Sequence, residues 1–384
     1  MTTRKLTVVQ LLPALNAGGV ERSTLEIGAA LAAAGHRSIA VSAGGRLVDQ
    51  FLAAGSEHIA LDIGRKSLAT LRHVWRLRRL LAEIRPDIVH ARSRLPAWIG
   101  WHALRGMPQT MRPHFVTTVH GLNSPGRYSA ILTRGERVIC VSNMLRDYVL
   151  KHYPGLDAAR VTVIPRGIDP AEFPRGYRAD DAWRARFFAE FPQLAGGPLL
   201  TLPGRGTRLK GHRDAVELLA ALRARGVNAG LLLLGAREAG RETYIEEVEA
   251  LARERGVADR LAITPPRSDV REVHAISDLV LQLSTQPESF GRTVVEALSL
   301  GRPVLGYAHG GVGELLAELY PQGSVALGDA AALLERAIEL LRAAPPVAPL
   351  EKYRLADMQA ATLALYDNVV RSASDVIAPE RIRR

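Results

Sequence analysis

Residues 279–307 read LVLQLSTQPESFGRTVVEALSLGRPVLGY. Short apolar runs stand at both ends, LVLQLS at 279–284 and PVLGY at 303–307. Between them lies a loop holding Glu288, a Gly-containing turn at Gly291, and a helix pattern holding Glu296. The order is strand, loop, helix, strand. That alternation is the signature of a parallel sheet with helices on both faces.

The same order recurs along the chain. In the first half, strands are expected at 6–12, 37–43, 86–91, 114–120, 137–142 and 161–165. A helix is expected over 19–34, ending at Gly35. In the second half, strands are expected at 198–204, 230–235, 261–264, 279–284 and 303–307, with a helix over 212–226. Residues 166–196 carry Pro170, Pro174, Gly176 and clustered charges, and read as a linker. The expected class is α/β, with two doubly wound Rossmann-like domains facing a central cleft. In such sheets ligands bind beyond the carboxyl ends of the strands. No short-period repeat and no long low-complexity segment interrupts this order.

Bulk properties narrow the function. A chain of 384 residues suits two domains. Its one cysteine, Cys140, rules out an internal disulfide and a cysteine metal cluster, and fits a reducing cytoplasm. The N-terminal MTTRKLTVVQLLPALNAGG has basic residues before an apolar run, but Gln10 and Pro13 break it, so a buried first strand is expected rather than a signal peptide. No apolar stretch of about 18 residues is present to span a membrane. Charge is uneven. Residues 1–175 hold 24 Lys and Arg against 12 Asp and Glu, whereas residues 176–384 hold 26 against 27. A strongly basic first half faces an anionic partner: membrane surface, nucleic acid or phosphorylated glycan.

Three constellations follow expected strands. Gly18 and Gly19 open the first helix, where glycine admits close backbone approach and free N–H groups favour an anion. The pattern is not G-x-G-x-x-G, so a dinucleotide site is disfavoured; a simple strand-to-helix turn is the plain alternative. LPGRGTRLKGH at 202–212 sets Arg205 and Lys210 on a turn with three glycines. Two such cations suit a diphosphate, and an exposed basic loop is the alternative. In the opening stretch, Ser289, Phe290, Gly291 and Arg292 lie at the helix start. Glu288 can hold sugar hydroxyls, and Glu296 can accept from a ribose diol. Alternatively, Glu296 only complements the helix dipole, worth about 0.3–1 kcal/mol. Asp180 and Asp181 are adjacent but lack companions for a metal site.

Taken together, these pieces resemble the retaining glycosyltransferases of family 4 (glycosyl transferases group 1), which have the GT-B fold. The motifs are AGGVER at 17–22, VHG at 119–121, VS at 141–142, VIPRGID at 163–169, GRGTRLKG at 204–211, and the Glu-x(7)-Glu segment followed by GRPVLGYAHGGVGEL. Within the family the sequence is similar to lipopolysaccharide-core and other cell-envelope hexosyl transferases. The resemblance implies an N-terminal acceptor-binding domain over 1–175 and a C-terminal nucleotide-sugar domain over 176–360. A last helix, about 361–384, would pack on the first domain. It also implies roles. Gly19 would lie against the donor diphosphate and His120 against the donor sugar. Arg205 and Lys210 would neutralise the leaving diphosphate. Glu288, with the amides of Phe290 and Gly291, would hold the sugar. Thr293 would bind phosphate and Glu296 the ribose. Two features depart from the family pattern: Arg166 stands where Asn is common, and Ser289 and Arg292 replace the commoner Gly and apolar residues.

The expected chemistry is metal-independent hexosyl transfer with retention, by front-side substitution. Cations and helix-start amides stabilise the leaving phosphate. No cofactor is expected; a UDP-, ADP- or GDP-linked sugar is the substrate. The acceptor is expected to be a cell-envelope glycan or glycolipid such as lipopolysaccharide core.

Residues 64–86 form an amphipathic pattern, with Leu68, Leu71, Trp75 and Leu81 at helical spacing and Arg72, Arg76 and Arg79 on another face. Residues 91–106 add Arg92, Arg94, Trp98 and Trp101. Basic residues with tryptophans suit an anionic leaflet, and a core helix with a solvated basic face is the alternative. The expected location is cytoplasmic, peripheral on the inner face of the cytoplasmic membrane. Two competing readings remain. One is a nucleotide-sugar epimerase of the same architecture, which the Glu-x(7)-Glu segment argues against. The other is a basic membrane- or nucleic-acid-binding protein without transferase activity. No helix-turn-helix or RNA-binding signature supports nucleic acid as a partner.

Overall fold

The computed structural model describes residues 4–16 and 18–377, with the side chains of Leu68 and residues 373–377 left aside. The chain divides into two compact units. The first holds residues up to Arg166 and again from Leu355, and the second is Gly167–Arg354.

Unit 1 runs β1 (Thr7–Leu11), α1 (Gly19–Ala33), β2 (Arg37–Ser42), α2 (Val48–Ala53), β3 (Glu57–Ala60), α3 (His73–Ile84), β4 (Ile88–Ala91), α4 (Arg94–Arg105), β5 (His114–Val119), β6 (Arg137–Cys140), α5 (Asn143–His152) and β7 (Val161–Val163). The strands form a parallel sheet in the order β3-β2-β1-β4-β5-β6-β7. Strand order reverses between β1 and β4, which opens a crevice at their carboxyl ends.

Unit 2 runs α6 (Asp181–Glu190), β8 (Leu199–Pro203), α7 (His212–Ala224), β9 (Gly230–Leu234), α8 (Glu242–Glu254), β10 (Leu261–Ile263), α9 (Val270–Ile276), β11 (Leu279–Gln282), α10 (Arg292–Ser299), β12 (Val304–Tyr307), α11 (Gly310–Leu319), β13 (Ser324–Val325) and α12 (Ala330–Ala343). Its parallel sheet is ordered β10-β9-β8-β11-β12-β13, with the reversal between β8 and β11. The last helix, α13 (Leu355–Ile377), returns to unit 1. Met358, Leu365, Tyr366, Val369 and Val370 of α13 join Leu6, Val8, Ile27, Leu31, Ile88, Val116 and Ile139 in one core cluster. Each such side chain contributes about 1.5–3 kcal/mol by burial, which is what ties the C-terminal segment to the first unit. The part of the expected helix beyond Ile377 lies outside the described residues, as does Ala17 of the AGGVER motif.

Two sequence expectations are corrected, and two strands are added. Residues 166–196, expected as a linker, are not one: the division between the units falls at its start, after Arg166. Phe187 and Leu194 are buried with Leu199 and Leu232 in the core of unit 2, and Asp180 caps α6 by accepting from the amides of Ala182 and Trp183 at 2.9 and 3.1 Å. The charges that suggested a tether lie on the solvent side of α6, where Arg184, Arg186 and Glu190 are exposed. The stripe through Leu68, Leu71, Trp75 and Leu81 also breaks. Residues Leu68–Arg72 form a 3-10 turn rather than α-helix, which changes the phase. His73, Leu77 and Leu81 then face the core, while Leu71 and Trp75 are 57% and 69% exposed. Finally, β3 and β13 carry no strand signal in the sequence. Both are edge strands, short and lacking a long apolar run.

Candidate functional site

In unit 2 the two loops at the β8/β11 reversal meet. Lys210 Nζ donates to Glu288 Oε1 at 2.7 Å. Ser284 Oγ also donates to Glu288. The loops are joined along the backbone as well, since the Thr285 amide donates to the Leu209 carbonyl at 2.8 Å. Glycine is required at this junction: Gly211 has φ 74°, and a Cβ there would fall 1.9 Å from the Leu283 carbonyl oxygen. Both Lys210 and Glu288 keep partial access to solvent, with side chains 25% and 20% exposed. Arg205 is exposed at the start of the same loop.

The loop 287–291 leads into α10 through Gly291, at φ 106°. A Cβ at Gly291 would lie 2.8 Å from Val312 Cγ2. Ser289 is half-buried and Phe290 is 6% exposed, its ring 5.6 Å from that of Tyr353. Thr293 Oγ1 accepts from Gln282 Nε2 at 2.8 Å. Glu296 is only 5% exposed and pairs with Arg292 one turn earlier, Nε to Oε1 at 3.3 Å. A nearly buried carboxylate inside a helix is costly unless charge or a ligand satisfies it. Sequence reasoning gave no role to the residues that brace this loop from behind. His309 Nε2 donates to the Ser284 carbonyl at 2.6 Å, and the Gly311 amide donates to the Glu288 carbonyl at 2.7 Å. A Cβ on Gly310 or Gly311 would strike the backbone of Glu288 or Phe290. The His309-Gly310-Gly311 step from strand to helix was the available signal.

In unit 1 the crevice between β1 and β4 holds a buried polar cluster. His90 on β4 is fully buried, with Nδ1 2.6 Å from the Tyr366 hydroxyl and Nε2 2.7 Å from Thr118 Oγ1. Arg92 follows β4 and is 2% exposed. Its Nε donates to Gln10 Oε1 at 2.7 Å and its Nη1 to Ser23 Oγ at 3.2 Å. Arg166 donates to the same Ser23 hydroxyl at 2.7 Å, and through Nη2 to His120 Nδ1 at 2.6 Å. His120 Nε2 is buried without a hydrogen-bond partner among the described residues. Burial first, then the charges of Arg166 and Arg92, hold the His120 imidazolium well below its ordinary pKa, so the ring is neutral. Gly18 and Gly19 stand at the start of α1, Gly18 at φ 135° and Gly19 with open space where a Cβ would sit.

The surface expected to meet an acceptor or membrane is only partly assembled. Arg72, Arg76 and Arg79 are exposed around Trp75. Arg92 is corrected: its guanidinium is enclosed in the cluster above and does not reach a surface. Arg94 donates to Ser129 Oγ at 3.3 Å and covers the Tyr128 ring. Trp98 is half-buried and donates to the Tyr128 carbonyl at 2.9 Å. Trp101 is half-buried between the guanidiniums of Arg105 and Arg134, each 4.7 Å from its ring centre.

Two sequence families match the chain, Glycosyltransferase Family 4 over residues 17–172 and Glycosyl transferases group 1 over residues 185–354. The two unit-long matches, on two doubly wound sheets, make this chain a member of the group 1 glycosyltransferases with the GT-B fold. It is similar to a D-inositol 3-phosphate glycosyltransferase of Xylanimonas cellulosilytica, 29% identical over 59% of this chain and 56% of that protein. The chain thus spans little more than half the length of such curated relatives. Its fold is similar to that of a glycosyltransferase from Rickettsia africae (TM-score 0.83, 24% identity, 96% of this chain and 99% of that one). It is also similar to Anabaena HepE in complex with UDP-glucose (TM-score 0.74, 18% identity, 97% and 100%).

Proposed function

We propose that this protein transfers a hexose from a nucleotide-sugar to a cell-envelope glycan acceptor such as lipopolysaccharide core, with retention of configuration and without a metal ion. The observation that carries the reading is the meeting of Lys210 and Glu288 at the β8/β11 crevice, a cation for phosphate beside a carboxylate for sugar hydroxyls. A UDP-glucose complex of the structurally similar HepE supports a donor of this class. In this reading Arg205 and Lys210 stabilise the departing diphosphate, together with the amides at the start of α10. Glu288, with Ser289, Phe290 and Gly291, positions the sugar; Thr293 binds phosphate and Glu296 the ribose. From unit 1, Gly18 and Gly19 serve phosphate, and His120 donates Nε2–H to a sugar hydroxyl.

The bond from the anomeric carbon to the phosphate oxygen breaks first. The acceptor hydroxyl adds on the same face, and its proton passes to the leaving phosphate. No further base is required.

The exposed Leu71 and Trp75 among Arg72, Arg76 and Arg79 support a peripheral contact of unit 1 with an anionic membrane face, where a lipid-linked acceptor is found. The test of the whole reading is turnover of UDP-, ADP- and GDP-hexoses with envelope glycan acceptors, with and without chelator, and NMR of the product. A single accepted nucleotide and a retained anomer support it. An inverted anomer removes the front-side mechanism, and no turnover of any donor removes the activity.

A further inference from the structure

Arg166 holds His120, and the transfer reading uses His120 while giving Arg166 no part. We infer that Arg166 is a positioning residue that fixes His120 in the neutral tautomer with its proton on Nε2, aimed as a hydrogen-bond donor at the substrate. The inference rests on the proposed transfer reaction for its purpose, but not for its geometry.

A guanidinium carries five N–H donors and no acceptor. Arg166 Nη2 lies 2.6 Å from His120 Nδ1, so Nδ1 accepts. A neutral imidazole with Nδ1 as acceptor carries its proton on Nε2, because each ring nitrogen's role is set by the bond the other makes. Nε2 is the buried ring nitrogen without a partner among the described residues. A buried donor left unsatisfied costs about 1–3 kcal/mol, and a substrate hydroxyl oxygen is the kind of group that satisfies it. The Asn expected at position 166 offers both a donor and an acceptor, and so selects no tautomer by itself. Arginine leaves one choice.

The cluster also keeps His120 uncharged. Arg166 and Arg92 bring two cations, and His90 adds to their effect. Ser23 on α1, Gln10 on β1 and Tyr366 on α13 supply neutral partners, and Glu26 is the acid that acts on Arg92. Arg166 is itself held, since its Nη1 donates to Ser23 Oγ at 2.7 Å and lies 3.8 Å from Met358 Sδ. That second anchor gives the fork a set direction.

The test is the ¹⁵N spectrum of the His120 ring in the full chain without substrate, followed from pH 5 to 8. The expected wild-type result is a protonated Nε2, an unprotonated Nδ1, and no titration across that range. Arg166→Met should mix the tautomers and move the titration upward. It should lower kcat roughly 10- to 100-fold, the cost of a misplaced group, with nucleoside diphosphate binding unchanged. Arg166→Lys, which keeps a donor and a charge, should restore the spectrum and most of kcat. A wild-type ring protonated on Nδ1 overturns the inference, and it does so even where the variants fail to fold. An unchanged ring in a folded Arg166→Met protein overturns it too. Absence of transfer by the wild type instead removes the reaction and leaves the ring assignment standing.

Discussion

Lys210 Nζ and Glu288 Oε1 stand 2.7 Å apart, and they come from the two loops that flank the β8/β11 crevice. The pair occupies the charge that a diphosphate needs. A phosphate binding there competes with Glu288 for Lys210. The expected outcome of Glu288→Gln is therefore divided. Nucleoside diphosphate binding should tighten by about 0.5–1 kcal/mol, the worth of a partly exposed ion pair, or roughly two- to fivefold. Turnover of the nucleotide-sugar should fall, because the sugar loses a carboxylate. Calorimetry beside initial rates measures both; weaker diphosphate binding in the variant would sink the competition.

Glu296 is nearly buried and paired with Arg292. Glu296→Ala should weaken binding of the preferred nucleotide by about 1.5–3 kcal/mol through lost charged hydrogen bonds, or roughly 10–150-fold. Titrating UDP, ADP and GDP into wild type and variant identifies the base and checks the loss together. Equal affinities would confine Glu296 to its ion pair and the helix dipole.

Trp75 is 69% exposed beside Arg72, Arg76 and Arg79. Replacing Trp75 and Leu71 by Ser should release the protein from vesicles containing anionic lipid while leaving nucleotide binding intact. Arg76→Glu should weaken the same association, most visibly at low salt. Co-sedimentation with anionic and neutral vesicles makes the comparison. Wild-type protein that shows no preference for anionic lipid rules the contact out.

His274 is fully buried, and neither ring nitrogen has a hydrogen-bond partner among the described residues. Burial depresses its pKa from 6.5 to about 4. The unfolded chain therefore binds the extra proton first as pH falls. Stability is complete above about pH 6.5 and declines as pH drops toward 4, by an amount on the order of 3 kcal/mol from this residue. His212, also held at about 4, adds a parallel limb. His274→Leu should flatten, without abolishing, the loss of urea midpoint between pH 7 and pH 4.5. A variant with the wild-type slope would show that His274 is not desolvated in the folded protein.

Much of this was legible before any fold was known, for reasons visible in particular residues. LTVVQLL, GLLLLG and LVLQLS are runs that only a buried strand accommodates, and each is a strand of the structure. Loops that follow such strands fall at carboxyl ends, so Lys210 and Glu288 were both expected at one edge of a sheet. Glu57–Ala60 and Ser324–Val325 gave no such signal because the first has no fully buried position and the second is only 2 residues long. The charged segment at 180–190 read as a tether because only the inward residues of α6, chiefly Phe187, report its packing.

Sequence by itself determined the alternation, the two doubly wound units and the loops that carry glycine and charge, because periodicity and strand ends are local properties. Tertiary structure decided which charges pair and which are free to meet a ligand. Arg92 and Arg76 are the same residue type sixteen positions apart in one basic region, yet one is sealed against Gln10 and Ser23 and the other lies in solvent. Lys210 meets Glu288 across 78 residues, and Arg166 meets His120 across 46. Such pairings depend on sheet order and on the backbone approach of separate loops, which no window of sequence contains.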